Sequence, residues 1–365
     1  MTATAPTVLL MAGGTGGHIF PAQALAEELA GRGWQIHWLG TADRMEATLV
    51  PELGWPFHSI RVRGLRGKGI GSLLTAPWML FSALWQAGRL LRQLQPDLVV
   101  GFGGYASGPG GLAAWLARTP LLIHEQNAVA GTTNRWLARL ARQVLVAFPQ
   151  AFAGHRKQRL VGNPVRRALV GVKADQALAA HPELRVLVVG GSLGAKVLNQ
   201  QLPAQLATLS QSWAVQVRHQ TGPAMQAEVQ QQYQQLQSSQ FAGDAVAFIE
   251  DMAEAYRWAD VVICRAGALT VSEVAAVGIA AIFVPLPHAI DDHQTANANW
   301  LVQQDAALLL PQQQLEDGGL VALLQPLLAD KNSLAQLAAK ARQCATDHAA
   351  SHLADLCAQQ LGARV

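Results

Sequence analysis

The chain is poor in cysteine and in charged residues, and both scarcities exclude classes of protein. Its 365 residues include three cysteines, Cys264, Cys344 and Cys357, which cannot close a disulfide framework and lack the spacing of metal ligands. Charged residues make up 14% of the chain and the formal net charge is +3, without a dense Lys/Arg block, so we expect no nucleic acid partner. The amino-terminal sequence lacks the basic and apolar regions of a secretory signal. These absences are typical of a protein of a reducing cytosol.

One uncharged run, residues 69–88, approaches the length of a membrane span, but Pro77 and several polar residues interrupt it. We predict instead a helix that begins near Pro77. At helical spacing, one face of this helix carries aromatic residues followed by arginines: Trp78, Phe81, Trp85, Arg89 and Arg92. Such a face is typical either of an interfacial helix at a membrane or of a core-facing helix, and the sequence leaves both open.

The length exceeds what one hydrophobic core usually holds, so we expect two domains. Apolar, β-rich segments alternate with helix-like segments through both halves, which predicts an α/β protein with two doubly wound parallel sheets. Gly162 and Pro164 break regular structure between the halves, and we place the boundary there, with domains at residues 1–163 and 164–345. Ligands of such folds bind outside the carboxyl ends of the strands, so two facing domains would form a cleft.

Four glycine-rich segments follow strand-like segments, at residues 13–17, 101–111, 190–195 and 265–273. Glycine lets a strand turn tightly into a helix, and it also lets backbone N–H groups at a helix start approach an oxyanion. The first use would explain any one segment, but all four together indicate phosphate binding. The first and third segments do not satisfy G-x-G-x-x-G, which disfavours a dinucleotide, and the basic segment GLRGKG lacks the spacing of a P-loop.

These segments belong to a set of motifs that closely resembles the MurG family of bacterial glycosyltransferases. The resemblance runs from about Val8 into the last hundred residues and is carried, in the family's order, by GGTGGH, GFGGYASGP, HEQNAVAGTTNR, GNPVR, GGSLGA, ADVVICRAGALTVSE and DDHQTANA. It implies two Rossmann-like domains facing a cleft, the arrangement called GT-B. Residues 1–163 would bind the acceptor and the membrane, and residues 164–345 would bind the UDP-sugar. A carboxy-terminal helix within residues 346–365 would pack back on the first domain.

The resemblance also implies an inverting transfer of N-acetylglucosamine in peptidoglycan synthesis. The sugar would move from UDP-N-acetylglucosamine to the 4-hydroxyl of undecaprenyl-diphosphate-linked N-acetylmuramyl-pentapeptide. This acceptor implies a peripheral location on the cytoplasmic face of the inner membrane, with other cell-wall synthesis proteins as further partners. The sequence has no Asp-x-Asp pair to hold a metal on the departing diphosphate, so we expect neither a metal nor another cofactor.

His18, at the end of the first glycine segment, is the candidate catalytic base, because an imidazole can exchange a proton near neutral pH. It could instead donate a hydrogen bond to the acceptor diphosphate or to its own loop. Glu125 in HEQN is the second candidate base, with a structural carboxylate as its alternative. The resemblance assigns the other first-domain site residues to the donor sugar and the diphosphate region: Thr15, Gly16, Gly17 and Asn127.

In the second domain the resemblance assigns these residues to donor binding: Arg166, Ser192, Ile249, Ala268, Leu269, Thr270, Glu273 and Gln294. Arg166 would neutralise diphosphate oxygens, or else form a salt bridge at the linker. Glu273 would accept hydrogen bonds from the ribose hydroxyls, or else only stabilise the first turn of a helix. Ile249 would recognise uracil through its backbone and pack its side chain on the ring.

Two other functions stay open on the sequence alone. A UDP-N-acetylglucosamine 2-epimerase uses the same two-domain plan, but it would leave HEQN and the aromatic face near Trp85 without a purpose. A non-catalytic protein that binds a UDP-sugar would need neither His18 nor Glu125. A dehydrogenase is disfavoured by the unmatched dinucleotide fingerprint.

Overall fold

The computed structural model describes residues 5–64, 70–173, 182–191, 194–287, 292–330 and 332–362, and it describes the side chains of these except at 70–74. The chain divides into two compact units. The first unit consists of Met1–Val165 together with His348–Val365, and the second consists of Arg166–Asp347.

The first unit contains a parallel sheet that, within the described residues, has seven strands. The strands are β1 (Thr7–Met11), β2 (Gln35–Gly40), β3 (Phe57–Ser59), β4 (Leu98–Gly101), β5 (Leu121–Glu125), β6 (Gln143–Val146) and β7 (Gln158–Leu160). The helices are α1 (Gly16–Gly31), α2 (Glu46–Glu52), α3 (Ile70–Leu94), α4 (Ser107–Leu116) and α5 (Thr132–Leu137). The strand order is β3-β2-β1-β4-β5-β6-β7.

Alternate residues of β1 face opposite sides of this sheet, as the two-residue period of a strand requires. Val8 and Leu10 lie in one buried core, which also includes residues of α1. Leu9 and Met11 lie in a second buried core, which includes residues of α3 and α4. Because β1 is covered on both sides, its sequence is a continuous apolar run and not an alternating one.

The second unit also contains a parallel sheet, with six strands in the described residues. The strands are β8 (Glu183–Val189), β9 (Ala214–Gln220), β10 (Phe241–Val246), β11 (Val261–Cys264), β12 (Ala280–Phe283) and β13 (Leu308–Leu309). The helices are α6 (Lys196–Leu209), α7 (Gln226–Leu236), α8 (Met252–Trp258), α9 (Ala268–Val277), α10 (His293–Val302), α11 (Gln312–Glu316), α12 (Gly319–Ala329) and α13 (Ser333–Gln343), and a short 3-10 helix spans Arg167–Leu169. The strand order is β10-β9-β8-β11-β12-β13. The prediction of two doubly wound parallel sheets is therefore confirmed.

The last helix, α14 (Ala349–Gly362), belongs to the first unit although the second unit precedes it in the chain. It packs against α1, and its Leu353 and Cys357 are fully buried in the same core as Val8. At the edge of this contact, Nη1 of Arg32 lies 2.6 Å from Oδ1 of Asp355. The carboxy-terminal segment is thus held on the first unit mainly by apolar burial.

Both sheets reverse their strand order at one point, between β1 and β4 in the first unit and between β8 and β11 in the second. Ligands of doubly wound sheets bind at the carboxyl ends of the strands beside such a reversal. The four glycine-rich segments of the sequence begin at or just after the ends of these four strands. The topology therefore gives each unit one place at which two glycine loops lie side by side.

The long helix α3 differs from the sequence prediction at its start. The helix begins at Ile70 and not near Pro77, so Pro77 lies inside it. A proline has a φ angle that suits a helix and removes only one N–H, and the packing of α3 on α4 supports the helix through this position. Among the described residues, no helix has both the length and the sustained hydrophobicity needed to cross a bilayer.

The aromatic face of α3 points away from the core, so the core-facing helix, one of the two alternatives that the sequence left open, is wrong. Trp78 is 77% exposed, Phe81 61% and Trp85 54%. The opposite face of the helix supplies the buried contacts, through Ala83 and Leu91. Small side chains on that face let α3 approach α4 and leave the large aromatic residues outside.

Candidate active site

The first glycine loop leads from β1 into α1. Thr15 is the N-cap residue of α1 in an extended conformation, and its side chain makes no capping hydrogen bond. Gly16 and Gly17 form the first turn of the helix. A Cβ atom at Gly16 would lie 2.7 Å from the ring of Phe20, so the exposed Phe20 ring lies directly against this part of the loop. The hydroxyl of Thr15 and the amino end of α1 are thus placed at the carboxyl edge of the sheet.

His18 lies in the first turn of α1 and contacts the loop that follows β4. Gly103 in that loop has a φ of +111°, and a Cβ atom on it would lie 2.8 Å from Cε1 of His18. A Cβ atom on Gly104 would likewise overlap the backbone of Gly13. The glycines of the second loop therefore make room for the imidazole and for the first loop.

Glu125 ends β5 and is almost fully buried. Its carboxylate accepts hydrogen bonds from the backbone N–H groups of Asn127 at 3.1 Å and Gly131 at 3.0 Å. It also accepts from the side-chain amides of Asn127 at 3.3 Å and Asn134 at 2.9 Å. These bonds hold the loop between β5 and α5 in one shape, and through it they orient Asn127.

Two residues of the HEQN motif, His124 and Gln126, make contacts in the site that the sequence did not reveal. Oε1 of Gln126 lies 2.9 Å from Nδ1 of His18, and Nε2 of Gln126 lies 3.0 Å from Nδ1 of His124. Nε2 of His124 lies 2.9 Å from the carbonyl oxygen of Gly162. Complete burial lowers the pKa of His124 to about 4, so this ring is neutral near pH 7. The signal that could have identified the pair is a histidine and an amide flanking Glu125 within one motif.

A third residue that the sequence did not reveal is Glu46, the first residue of α2, which is fully buried. Oε2 of Glu46 accepts the N–H of Gly14 at 3.0 Å. Oε1 accepts the N–H of Thr41 at 3.1 Å and its hydroxyl at 2.8 Å. This carboxylate ties the first glycine loop to the end of β2, a contact that no local pattern in the sequence predicts.

In the second unit the structure brings Arg166 and Glu273 together. Nη2 of Arg166 lies 3.4 Å from Oε1 of Glu273, and the Arg166 side chain is 55% exposed whereas that of Glu273 is 17% exposed. Burial raises the pKa of Glu273, and the neighbouring guanidinium partly opposes this shift. A pocket of about 360 Å³ lies beside this pair, lined by Arg166, Leu169, Glu250, Asp251 and Met252 among others. The pair therefore presents an exposed cation beside a sheltered carboxylate.

Ile249 is half-buried in the loop that follows β10, and its position depends on the buried Gln220 at the end of β9. Oε1 of Gln220 accepts the N–H of Ile249 at 3.1 Å, and Nε2 of Gln220 donates to the carbonyl oxygen of Gly191 at 3.0 Å. Gln220 thus links Ile249 to the third glycine loop. Ser192, also predicted for this site, lies outside the described residues.

The fourth glycine loop leads into α9, whose first residues are Ala268, Leu269 and Thr270. Gly267 caps this helix in an extended conformation. The amino end of a helix of this length attracts an anion through its N–H groups and its dipole. Gln294 lies at the start of α10, where its Oε1 accepts the N–H of Leu286 at 2.9 Å.

Among the described residues, no group of three or more His, Cys, Asp or Glu side chains is arranged to hold a metal ion.

Comparisons with known proteins agree with this architecture. Residues 8–146 match the model of the glycosyltransferase family 28 N-terminal domain, and residues 185–356 match that of the family 28 C-terminal domain. The chain is 53% identical over 351 residues to the UDP-N-acetylglucosamine–N-acetylmuramyl-(pentapeptide) pyrophosphoryl-undecaprenol N-acetylglucosamine transferase of Aeromonas hydrophila subsp. hydrophila, and the match covers 96% of both chains.

Solved structures give the same relationship. The crystal structure of Acinetobacter baumannii MurG is 41% identical, with a TM-score of 0.82 over 97% of this chain and 99% of that one. The UDP-GlcNAc 2-epimerase from Neisseria meningitidis, bound to UDP-GlcNAc, is 12% identical, with a TM-score of 0.66 over 97% of this chain and 100% of that one. At that identity the likeness to the epimerase is one of fold alone.

Proposed function

Because the chain belongs to glycosyltransferase family 28, and within it to the MurG family, we propose that it makes a β-(1,4) bond between two sugars. It transfers N-acetylglucosamine from UDP-N-acetylglucosamine to the 4-hydroxyl of undecaprenyl-diphosphate-linked N-acetylmuramyl-pentapeptide. The observation that carries this proposal is the 53% identity, over 96% of both chains, to a transferase named for that reaction.

We assign the two substrates to different units. The first unit, Met1–Val165 with His348–Val365, binds the lipid-linked acceptor through the loops after β1 and β4. The second unit, Arg166–Asp347, binds the UDP-sugar through the loops after β8 and β11. The reversal of strand order in each sheet supports this division, because it gives each unit its own ligand-binding edge.

The catalytic base in this proposal is His18. The acceptor hydroxyl attacks the anomeric carbon from the face opposite UDP, His18 takes the hydroxyl proton, and the bond to the diphosphate oxygen breaks with its electron pair. General-base assistance of this kind contributes about 10²–10⁴-fold in rate. Glu125 is less suited, since its buried carboxylate already accepts four hydrogen bonds that shape its own loop. We therefore assign Glu125 to positioning Asn127, which hydrogen-bonds the donor sugar.

Charge on the departing UDP is met in this proposal by groups of the second unit. Arg166 and the amino end of α9, from Ala268 to Thr270, stabilise the diphosphate without a metal. Glu273 accepts from the ribose hydroxyls, Ile249 contacts uracil, and Ser192 and Gln294 contact the diphosphate and the sugar. We also assign Thr15, Gly16 and Gly17, at the start of α1, to contacts with the sugar and the diphosphate.

The exposed face of α3 supports a peripheral location at the cytoplasmic face of the inner membrane, where the acceptor is anchored. Trp78 stacks on Phe81 with ring centroids 5.9 Å apart, and the guanidinium of Arg89 lies 5.9 Å from the ring centroid of Trp85. A helix face on which exposed aromatic rings are followed by arginines suits the boundary between acyl chains and anionic headgroups. Other cell-wall synthesis proteins at this membrane are proposed as further partners.

The test is a transfer assay with labelled UDP-N-acetylglucosamine and a short-chain, water-soluble analogue of the lipid-linked acceptor. We expect the label to appear in the acceptor, with UDP released in equal amount. An acceptor that carries a 4-deoxy muramyl sugar is the matched control and should stay unlabelled. Conversion of the donor sugar to its 2-epimer, with no labelled acceptor, would instead establish the epimerase.

A further inference from the structure

We propose that Gln126 is a positioning residue that fixes the tautomer of His18, with the proton on Nδ1 and the lone pair on Nε2. This inference rests on the proposed function, in which the lone pair of His18 accepts the proton of the acceptor hydroxyl. It assigns roles to Gln126 and to His124 behind it, two residues that touch neither the substrate nor the reacting atoms.

His124 and Gly162 form the buried end of the hydrogen-bond network. Nε2 of His124 lies 2.9 Å from the carbonyl oxygen of Gly162, and a carbonyl oxygen can only accept. His124 must therefore carry its proton on Nε2. The ring is fully buried and its pKa is lowered to about 4, so it does not carry a second proton near pH 7. Nδ1 of His124 is then an acceptor.

The orientation of the Gln126 amide follows from His124. The Nε2 group of Gln126 lies 3.0 Å from Nδ1 of His124 and 3.2 Å from the carbonyl oxygen of His124, so each of its two hydrogens has an acceptor. The flipped amide would place its oxygen against these two acceptors, which is unfavourable in a buried site. Asn163 steadies the same residue by donating to its backbone carbonyl oxygen at 3.1 Å. The amide oxygen must therefore face His18.

The tautomer of His18 follows in turn. Oε1 of Gln126 lies 2.9 Å from Nδ1 of His18 and can only accept, so Nδ1 of His18 carries the proton. A neutral imidazole with a proton on Nδ1 has its lone pair on Nε2. Within the described part of the chain, Nε2 of His18 has no hydrogen-bond partner. If the ring were turned over, Cδ2 would take the place of Nδ1 and the hydrogen bond to Gln126 would be lost, which favours the orientation described.

This arrangement prepares one proton transfer. Nε2 of His18 takes the proton of the acceptor hydroxyl while the oxygen forms its bond to the anomeric carbon, and UDP departs with the electrons of the bond that breaks. The resulting imidazolium keeps donating from Nδ1 to the neutral oxygen of Gln126. A glutamine orients the base without adding a buried negative charge beside a site that binds diphosphates.

The tautomer can be measured directly by long-range ¹H–¹⁵N correlation spectra of protein labelled with ¹⁵N-histidine. The His18 signals are identified by their absence in a His18→Ala variant. At a pH where the ring is neutral, we expect a pyrrole-type shift for Nδ1 and a pyridine-type shift for Nε2. In a Gln126→Met variant, which has similar size but no amide, we expect Nε2 to become the protonated nitrogen in a large part of the molecules.

Kinetics with saturating donor and the short-chain acceptor provide the second readout. Gln126→Met should lower kcat by about 10²-fold, the lower end of a general base contribution, with little change in the KM for UDP-N-acetylglucosamine. Gln126→Glu keeps an acceptor for Nδ1 of His18 and should restore part of kcat. Gln158→Met is the matched control, because Gln158 makes one hydrogen bond to the carbonyl oxygen of Pro149 at the edge of the sheet, away from this network.

If Gln126→Met does not fold, His124→Phe replaces it as the test. That variant frees the amide to rotate, so we expect mixed tautomers of His18 and a smaller loss of kcat. A wild-type protein with the His18 proton on Nε2 would overturn the inference, as would a Gln126→Met variant with an unchanged kcat. Absence of transfer by the wild-type protein would instead contradict the proposed function, and the spectra would still decide the tautomer.

Discussion

Glu46 fits against the first glycine loop only because residue 13 is a glycine: a Cβ atom on Gly13 would overlap Oε1 of Glu46. The same carboxylate accepts the N–H of Gly14, whose φ of +91° suits glycine. A buried anion and two small residues thus set the path of the loop that precedes His18.

Replacement of Glu46 by glutamine should therefore destabilise the first unit. Glu46→Gln puts an NH₂ group opposite a backbone N–H or a hydroxyl that now donates to the carboxylate. Hydrogen bonds to charged groups contribute about 1.5–3 kcal/mol each, so we expect the free energy of unfolding to fall by about 2 kcal/mol. Urea unfolding measures this change. Glu52→Gln, on the exposed end of the same helix, should leave the stability unchanged, and equal stability of the two variants would contradict the role of Glu46.

His18→Ala should remove the base but spare the donor site. We expect kcat to fall by about 10²–10⁴-fold, because the hydroxyl then loses its proton without assistance. Binding of UDP, measured by calorimetry, should stay within about twofold of wild type.

The comparison that separates the two candidate bases is Glu125→Gln. A folded Glu125→Gln variant should keep more activity than His18→Ala, because its loss acts through the shape of the loop that holds Asn127. The reverse order of the two activities would make Glu125 the base and His18 a binding residue.

Arg166→Ala should weaken donor binding and also slow turnover, because the cation proposed here meets the charge of both the bound and the departing diphosphate. The variant loses the forked cation proposed for the diphosphate and leaves Glu273 without its neighbouring positive charge, which would raise the pKa of Glu273 further. We expect the dissociation constant for UDP-N-acetylglucosamine to rise by about tenfold or more, with Arg166→Lys between the two. Arg167→Ala, at the neighbouring exposed position, is the control. Equal changes in the dissociation constant for Arg166→Ala and Arg167→Ala would show that Arg166 acts only as general surface charge.

Trp85→Asp should reduce recovery of the protein with anionic vesicles in a flotation assay. Burial of a large apolar side chain contributes about 1.5–3 kcal/mol, so a loss of about tenfold in partitioning is expected. Turnover of a water-soluble acceptor should be unaffected. Leu160→Asp is the control, because Leu160 in β7 is 56% exposed and Trp85 is 54% exposed. The Leu160→Asp variant should be recovered with the vesicles to the same extent as the wild-type protein. Unchanged recovery of the Trp85→Asp variant would contradict the proposal that α3 contacts the membrane.

Acid should destabilise the second unit through His219. Burial lowers the pKa of this histidine from its ordinary value of 6.5 to about 3, so between roughly pH 6 and pH 4 the unfolded chain binds a proton that the folded chain does not. The neutral ring contributes its full stability above the pKa that the histidine has in the unfolded chain. Below that pH the free energy of unfolding falls by about 1.4 kcal/mol per pH unit. Nδ1 of His219 lies 3.0 Å from the hydroxyl oxygen of Tyr233.

The variant that tests this prediction replaces both partners with phenylalanine, so that no polar group stays buried alone. His219→Phe with Tyr233→Phe should show a shallower fall of unfolding free energy over this range in guanidinium titrations. Tyr233→Phe alone keeps the histidine and should keep the wild-type slope. Parallel slopes for all three proteins would exclude His219 as the source.

Local patterns predicted the architecture well. Strand-like apolar runs such as that of β1 and the glycine turns after them depend on backbone conformation over a few residues, so the alternation of strands and helices could be read along the chain. The start of α3 could not be predicted from the local sequence. The local rule places a proline in the first turn of a helix, whereas packing against α4 stabilises a helix that continues on both sides of Pro77.

The site residues also fall into two groups, those that local motifs predicted and those that depend on contacts between distant parts of the chain. His18 and Glu125 stand out in the sequence because they occur in motifs beside glycine turns or at a strand end. Gln126 occurs in the same motif, but its importance depends on a contact with His18 that joins residues 108 positions apart. The partners of Glu46 could not be predicted for the same reason, since Gly14 is 32 positions away.

By itself the sequence determined which segments become strands, where glycine lets the backbone turn, and to which family the protein belongs. Only the tertiary structure decided which buried polar groups face one another, and hence which nitrogen of the His18 imidazole bears the proton. The physical reason is that backbone conformation is chosen over a few neighbouring residues, whereas a buried donor or acceptor must find its partner among whatever elements the packing brings beside it.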